Sequence, residues 1–346
     1  MKAVAIHAHG GPEVLRYVDW QEPQPGADEV LIEVRASSIN HVDVWIRKGL
    51  PGITFPFPMI PGCDAAGIVR ATGERVSGLT VGTRVTINPG ISCGRCEFCT
   101  DGFGSQCVRF VMVGENRQGS YAEFLVVPAH VVLPIPDHLS FDDAAAAPLV
   151  TLTAWSMMVN KGHLRPGEDI LILGAGAGVG TAAVQIAKMT GCRVFAAASS
   201  DKKLERAKAL GADFLINYAK EEFDKRIRQL TDRRGVDVVV DYIGAETWVR
   251  SLRSARKGGR ILTCGATTGF DPKTDLRQIF FRQLQVIGST MGSHRDFLDA
   301  MQAVFRGQIK PVVDRVLPLT EAARGHEAIE RREIFGKVIL RPWDTA

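Results

Sequence analysis

Hydrophobic and polar positions follow two different rhythms along this chain, and the change falls near residue 151. Before it, apolar stretches are short. Val30-Leu31-Ile32-Glu33-Val34-Arg35-Ala36 mixes β-branched residues with alternating polarity, and Gly67-Ile68-Val69 and Thr83-Arg84-Val85-Thr86-Ile87 are similar. Pro23, Pro25-Gly26, Pro51-Gly52, Pro61-Gly62 and Gly82 separate these runs. Glycine and proline break ladders and supply turns, so the pattern predicts a β-rich, barrel-like domain with few helices.

After residue 151, strand and helix patterns alternate. Asp169-Ile170-Leu171-Ile172-Leu173 reads as a buried strand, and Val179 to Met189 as a helix stopped by Gly191. Arg193 to Ala197 is the next strand. Asp201 to Leu210 is a helix opened by Ser200 and ended by Gly211, the usual cap residues at each end. Phe214 to Asn217, a charged helix near 221–232 and Val236 to Asp241 continue the series, followed by strands at 259–263 and 284–288. Strand alternating with helix argues an α/β unit built on a doubly wound parallel sheet. The tail returns to mixed character, with Val338-Ile339-Leu340 as a final strand. The expected division is therefore 1–150, 151–290 and a return at 291–346.

Composition adds little to this picture. The chain has 346 residues, 45% of them hydrophobic and 23% charged, with a net charge of +4. That is an ordinary globular balance at a length that suggests about two domains. Charges of both signs are interspersed, so no nucleic-acid stripe is expected. No apolar run reaches membrane-spanning length and the N-terminus does not read as a signal peptide.

Cysteine changes the picture more. Cys93, Cys96, Cys99 and Cys107 share one loop at the spacing C-x2-C-x2-C-x7-C. Four thiolates on a glycine-punctuated loop can close a tetrahedron around Zn²⁺ with no open position, which is a structural site. A ferredoxin-type cluster usually has a shorter last spacing followed by proline, and here Val108 follows Cys107. Disulfides need an oxidising compartment, for which nothing argues. Cys63, Cys192 and Cys264 are scattered. The expectation is a reducing cytoplasm and one structural zinc in a lobe at about 90–108.

Gly174-Ala175-Gly176-Ala177-Gly178-Val179-Gly180 lies between a predicted strand and helix. There a dinucleotide pyrophosphate meets backbone N–H groups and a helix N-terminus. The spelling is irregular: only Gly178, Gly180 and Ala183 fit G-x-G-x-x-A. The end of the next strand reads Ala198-Ser199-Ser200-Asp201-Lys202-Lys203. A ribose-binding acid is absent from the strand end, and hydroxyls and ammonium groups suit a 2′-phosphate. NADP(H) is expected over NAD(H). The competing reading is that Ser200 and Asp201 only cap a helix.

With these features together, the chain resembles the medium-chain dehydrogenase/reductase superfamily over its whole length. The resemblance rests on the β-rich N-terminal part, the four-cysteine lobe, the glycine-rich turn and the closing Phe335-Gly336-Lys337-Val338. It implies a GroES-like catalytic domain carrying the zinc lobe and a Rossmann-type domain. Zinc alcohol dehydrogenases of this superfamily hold a second, catalytic zinc by a Cys, a His in Gly-His-Glu, and a Cys or acid. Here those places hold Asn40, Gly62-Cys63-Asp64 and, near the third, Leu149. Asn40-His41-Val42-Asp43, with Arg47 and Gly49, is similar to the Asn-x-x-Asp-x-x-x-Arg-x-Gly motif of the zinc-free quinone oxidoreductase branch, most of which lacks the cysteine lobe.

The resemblance implies cofactor contacts at Gly174, Ala175, Gly176, Gly178, Val179, Gly180, Ser199, Ser200, Lys203, Tyr218, Gly265 and Gly288. Ser200, Lys203 and Tyr218 match positions that meet the 2′-phosphate. Asn40, Asp43 and Trp45 are the catalytic-site candidates, although Asp43 also suits a structural hydrogen bond to Arg47 or backbone, and Trp45 suits the core. Reduction of an isolated carbonyl builds charge on one oxygen, which a metal or acid normally stabilises. A conjugated enone or quinone delocalises that charge. The expected activity is therefore NAD(P)H-dependent reduction of a small enone, quinone or other carbonyl without catalytic zinc, in a homodimer or homotetramer. An alcohol dehydrogenase with an atypical metal near His41, Cys63 and Asp64, and an NADPH-binding protein without turnover, are the alternatives.

Overall fold

The structure, a computed structural model, describes residues 1–344. In chain order the strands of its two large sheets are β1 (Glu29–Ile39), β2 (Asp64–Thr72), β3 (Arg84–Ile87), β4 (Phe124–Pro128), β5 (Val132–Pro134), β6 (Asp169–Leu173), β7 (Arg193–Ala198), β8 (Phe214–Asn217), β9 (Val236–Val240), β10 (Ala255–Thr263), β11 (Gln285–Gly288), β12 (Val313–Pro318) and β13 (Lys337–Arg341). Four helices matter below: α1 (His41–Lys48), α2 (Gly178–Met189), α3 (Asp201–Ala209) and α4 (Ala322–Glu330). The chain forms two compact units. One comprises Met1–Leu149, Ser293–Phe305 and the chain from Pro311 onward; the other comprises Val150–Gly292 and Arg306–Lys310.

The first unit is built on a seven-stranded sheet in the order β12-β13-β1-β2-β3-β5, with β4 also paired to β1. Strand β1 explains its shape. Along one edge it pairs with β2; along the other it meets β4 over Glu29–Glu33 and then β13 over Ser37–Ile39. Bulges in the β1–β2 ladder let one long strand bend between these partners. Enclosed in this way, β1 exposes only Arg35. Val30, Ile32, Val34, Val69, Val85 and Leu125 form the core between the strands. The register matters for the site: Ser38 lies opposite Asp64, and Ile39 opposite Val338. The end of β1 and the first residues of β2 and β13 therefore converge.

The second unit is a six-stranded parallel sheet in the order β8-β7-β6-β9-β10-β11. The chain winds outward from β6 in one direction and then from β9 in the other, which is the doubly wound arrangement. β6 and β9 are covered on both faces and are buried throughout, which is why Ile170-Leu171-Ile172-Leu173 and Val238-Val239-Val240 are uninterrupted apolar runs. Leu171, Phe195, Ile216, Val239 and Ile261 anchor the core. Asp169 and Asp237, at the buried starts of these strands, are neutralised by Arg193 and by Arg234 and Arg256.

Most predicted elements are present with ends shifted by a residue or two. Strand β10 begins at Ala255 rather than Gly259, and the charged helix near 221–232 is confined to Phe223–Leu230. Several helices lay outside the sequence pattern, among them α1, Pro148–Trp155, His294–Phe305 and α4. Among the described residues no helix is long and apolar enough to cross a membrane.

Candidate active site and zinc lobe

In the cysteine loop, the four sulfurs of Cys93, Cys96, Cys99 and Cys107 all lie within 4.8 Å of one another. Cys96 and Cys99 are 3.4 Å apart and Cys93 and Cys99 4.0 Å. A zinc ion with bonds of about 2.3 Å needs sulfur separations near ~3.8 Å, so the set fits. Backbone N–H groups of Cys93 and Arg109 point at the Cys107 sulfur, each at 3.3 Å. Such donors stabilise a coordinated thiolate. The N–H of Arg95 leads the effects that hold the Cys93 thiol down to about 6.

A second cluster forms where β1, β2 and β13 converge. Asn40 follows β1 and caps α1 with an extended backbone. Its N–H donates to Asp43 Oδ2 at 2.7 Å, closing the first turn. Asp43 has no exposed surface. It also accepts the Cys63 thiol at 3.2 Å and the Tyr121 hydroxyl at 3.2 Å. Burial pushes its carboxyl up to about 6, against the pull of the Asn40 N–H and the Cys63 thiol. Tyr121 in turn lies 3.1 Å from His326 Nε2 on α4. Burial, helped by nearby Arg47, lowers His326 to about 3, so its ring is neutral at pH 7. Gly62 makes the Tyr121 approach possible: a Cβ there would lie 2.4 Å from the tyrosine ring. Arg47, read from sequence as a partner for Asp43, instead pairs with Glu330 at 2.8 Å. The backbone half of that expectation holds.

Asp64, the first residue of β2, is the hub of the other half. Its Oδ2 accepts Ser38 Oγ at 2.9 Å and Asn40 Nδ2 at 2.8 Å. Its Oδ1 accepts the Leu149 backbone N–H at 3.0 Å. Lys337 Nζ lies 3.5 Å from Oδ2 and also donates to Asn40 Oδ1. Lysine can only donate and a carboxylate only accept, which fixes the orientation of the Asn40 amide. Burial lowers the Lys337 pKa, with the Asp64 carboxylate opposing. Lys337 and Tyr121 were not singled out as site residues from sequence. A lysine heading an apolar strand, directly after Gly336, was the available signal. Tyr121 carried none.

Trp45 lies one turn along α1, half-buried, its ring edge-on to His41 at 5.0 Å. Burial lowers His41 to about 4.

The cofactor candidates gather along the carboxyl-terminal side of the second sheet. Gly174–Ala177 is the turn between β6 and α2, whose first residues are Gly178, Val179 and Gly180. A Cβ on Gly180 would lie 2.4 Å from the Gly174 carbonyl oxygen, so only glycine lets the helix sit this close to the turn. The Tyr242 hydroxyl donates to that same oxygen at 2.7 Å. Ser199 and Ser200 follow β7, and Ser200 caps α3 through the Lys203 N–H at 3.4 Å. Tyr218 follows β8, its N–H bonded to the Ala198 carbonyl. Gly265 lies just past β10, and Gly288 ends β11 opposite Thr263. All of these occupy the carboxyl ends of parallel strands, where doubly wound sheets bind ligands. The acid beside them, Asp201, is engaged by Asn217 at 2.7 Å and by Lys220.

Residues 26–137 match the alcohol dehydrogenase GroES-like domain, and residues 178–306 the zinc-binding dehydrogenase domain. A zinc-type alcohol dehydrogenase-like protein of Schizosaccharomyces pombe is 33% identical over 344 residues, covering 96% of each chain. The chain belongs to the medium-chain dehydrogenase/reductase superfamily. A quinone oxidoreductase of Pseudomonas aeruginosa is 32% identical over 99% of both chains. A crystal structure of an NAD-dependent alcohol dehydrogenase shares 46% identity over 99% of both chains, with a TM-score of 0.95. As a member of this superfamily the protein is an NAD(P)-dependent oxidoreductase, and its cysteine lobe suits the zinc found among zinc-type relatives. Among the described residues, those four cysteines are the one group of three or more His, Cys, Asp or Glu side chains placed to share a metal.

Proposed function

We propose that this dehydrogenase/reductase reduces a conjugated carbonyl compound or a quinone, with NADPH as donor and without a catalytic zinc. One observation carries the reading: the atoms that would face a catalytic metal are engaged as hydrogen-bond partners of one another. Asn40 Oδ1 faces the Lys337 ammonium. Cys63 is a thiol donating to Asp43, and burial, with Asp43 and Asp64 nearby, pushes its pKa up. Leu149 offers an N–H, not a lone pair. Asp64 is surrounded by donors, one of them a cation that opposes any divalent ion.

Asn40 and Lys337 are weak substitutes for a metal, so the substrate must carry much of its own negative charge. An enone or quinone does so. A bound nicotinamide supplies hydride. The Gly174–Gly180 turn holds the pyrophosphate, Ser199, Ser200, Lys203 and Tyr218 the adenosine ribose and its 2′-phosphate, and Gly265 and Gly288 approach the remainder. Asp43 and Trp45 support the substrate end through α1. The name of the 46% identical alcohol dehydrogenase favours alcohol oxidation with NAD as the competing reading.

We place one structural zinc in the lobe and the protein in the cytoplasm, where its seven unbridged cysteines remain reduced. We further propose a homodimer through β11. That strand ends its sheet, and exposed Leu276, Phe280, Phe281 and Val286 lie on or just before it. An apolar edge of this kind is covered by a second copy in a two-fold pair.

Steady-state oxidation of NADPH and NADH against matched conjugated and saturated carbonyls, quinones and alcohols tests the activity. Faster turnover of the conjugated member of each pair is expected. Preference for saturated aldehydes or alcohols overturns the reading.

A further inference from the structure

Lys337 has a place in this cluster that packing alone does not require. It heads β13 and is 3% exposed, with its ammonium against Asn40 Oδ1 and beside Asp64. Burying an ammonium is unfavourable even when paired, and a methionine of similar length fills the same volume without that cost. The Asn40 amide is pinned at both ends: its oxygen by Lys337, and one N–H by Asp64 at 2.8 Å. An amide nitrogen carries two N–H groups, so a second donor remains, aimed in a fixed direction.

We propose that Lys337 is a positioning residue that turns Asn40 into an oxyanion donor for the reduction. The inference rests on the metal-free reading above. A cation on an amide oxygen draws electron density from the nitrogen and strengthens its remaining N–H, as bonds in a chain polarise one another in a low-dielectric interior. Hydride from the nicotinamide adds at the β-carbon of the enone. The carbon–carbon π pair shifts, and negative charge appears on the carbonyl oxygen, where the second Asn40 N–H receives it. Water then returns a proton to the α-carbon, leaving saturated ketone and oxidised cofactor. Preorganised donors of this kind act on charge that develops only as the reaction proceeds, so kcat is affected rather than substrate affinity.

The test is a double-mutant cycle on the zinc-loaded enzyme, using Lys337→Met, Asn40→Ala and the pair, with NADPH and a simple enone. Lys337→Met should lower kcat about 10-fold to 100-fold with KM and NADPH affinity little changed, and Lys337→Arg should recover part of the loss. These are sizes typical of weakening or removing one oxyanion donor. The double variant should be no slower than Asn40→Ala, because Lys337 acts through Asn40. Losses that multiply, or a folded Lys337→Met with unchanged kcat, overturn the inference and leave the reductase reading intact. A wild-type enzyme inactive on every conjugated substrate overturns both. If Lys337→Met does not fold, Asn40→Asp decides: it keeps the lysine contact and removes both N–H donors, so retained turnover defeats the proposal and loss matching Asn40→Ala supports it.

Discussion

Cys63 donates its thiol hydrogen to Asp43 Oδ1 at 3.2 Å, and both residues are without accessible surface. A sulfur acting as donor is not a thiolate, and a thiolate there would face the carboxylates of Asp43 and Asp64 in a buried site. The contact therefore joins Cys63 to a hydrogen-bonded interior that continues through Tyr121 to His326.

That interior makes the stability depend on pH in two opposed ways. His326 has a folded pKa of about 3, below its ordinary value of 6.5. Its neutral form contributes stability above pH 6.5, lost as pH falls toward 3. Asp43, raised to about 6, works in reverse: its protonated form contributes below pH 3.8, and this is lost as pH rises through 6. Between about pH 4 and 6 the two oppose. In urea unfolding across that window, Asp43→Asn should make stability climb more steeply with pH, and His326→Gln should flatten it. Parallel curves for all three proteins would remove Asp43 and His326 as the source.

Cys96→Ser opens the four-sulfur site. Zinc content should fall from one per chain to near zero, and the lobe should become protease-sensitive, because metal binding energy there is folding energy. NADPH affinity should hold, since the glycine-rich turn belongs to the other unit. Elemental analysis with limited proteolysis checks it; full zinc retention contradicts the ligand set.

Lys203→Glu should weaken NADPH binding about 10-fold to 100-fold and leave NADH nearly unchanged. Loss of a charge-assisted contact of about 1.5–3 kcal/mol gives that range. Fluorescence titration with both cofactors measures it. Equal losses would mean that Lys203 does not meet the 2′-phosphate.

Phe281→Glu places a charge on a side chain that is 71% exposed just before β11. Sedimentation should show a shift from dimer to monomer with little change in melting temperature. A monomeric wild type, or an unshifted variant, rejects this surface.

The second unit was the more legible part of the sequence. A parallel strand buried on both faces shows as a continuous apolar run, and glycine, serine and lysine mark its turns and caps, so β6, α2, β7 and α3 lay nearly where the pattern put them. Helix α1 was hidden. It is short, its sequence His41-Val42-Asp43-Val44-Trp45-Ile46 alternates like a strand, and its polar Asp43 points inward because Asn40, Cys63 and Tyr121 satisfy it. The site in the first unit was legible only in part for a related reason. Asn40 and Asp43 sit in a recognisable motif, but Lys337 reaches Asn40 across 297 positions of chain, through a strand register that no local pattern encodes.

The central claim, conjugated-substrate reduction without a catalytic metal, is tested most directly by counting zinc and turnover on the same sample before and after a mild chelator. The Asn40, Cys63, Asp64 and Leu149 arrangement predicts one zinc per chain, held by the cysteine lobe, and unchanged NADPH-dependent enone reduction while that zinc stays bound. A fall from two zinc ions to one, with turnover abolished, would contradict the account and install the metal-dependent alcohol dehydrogenase in its place.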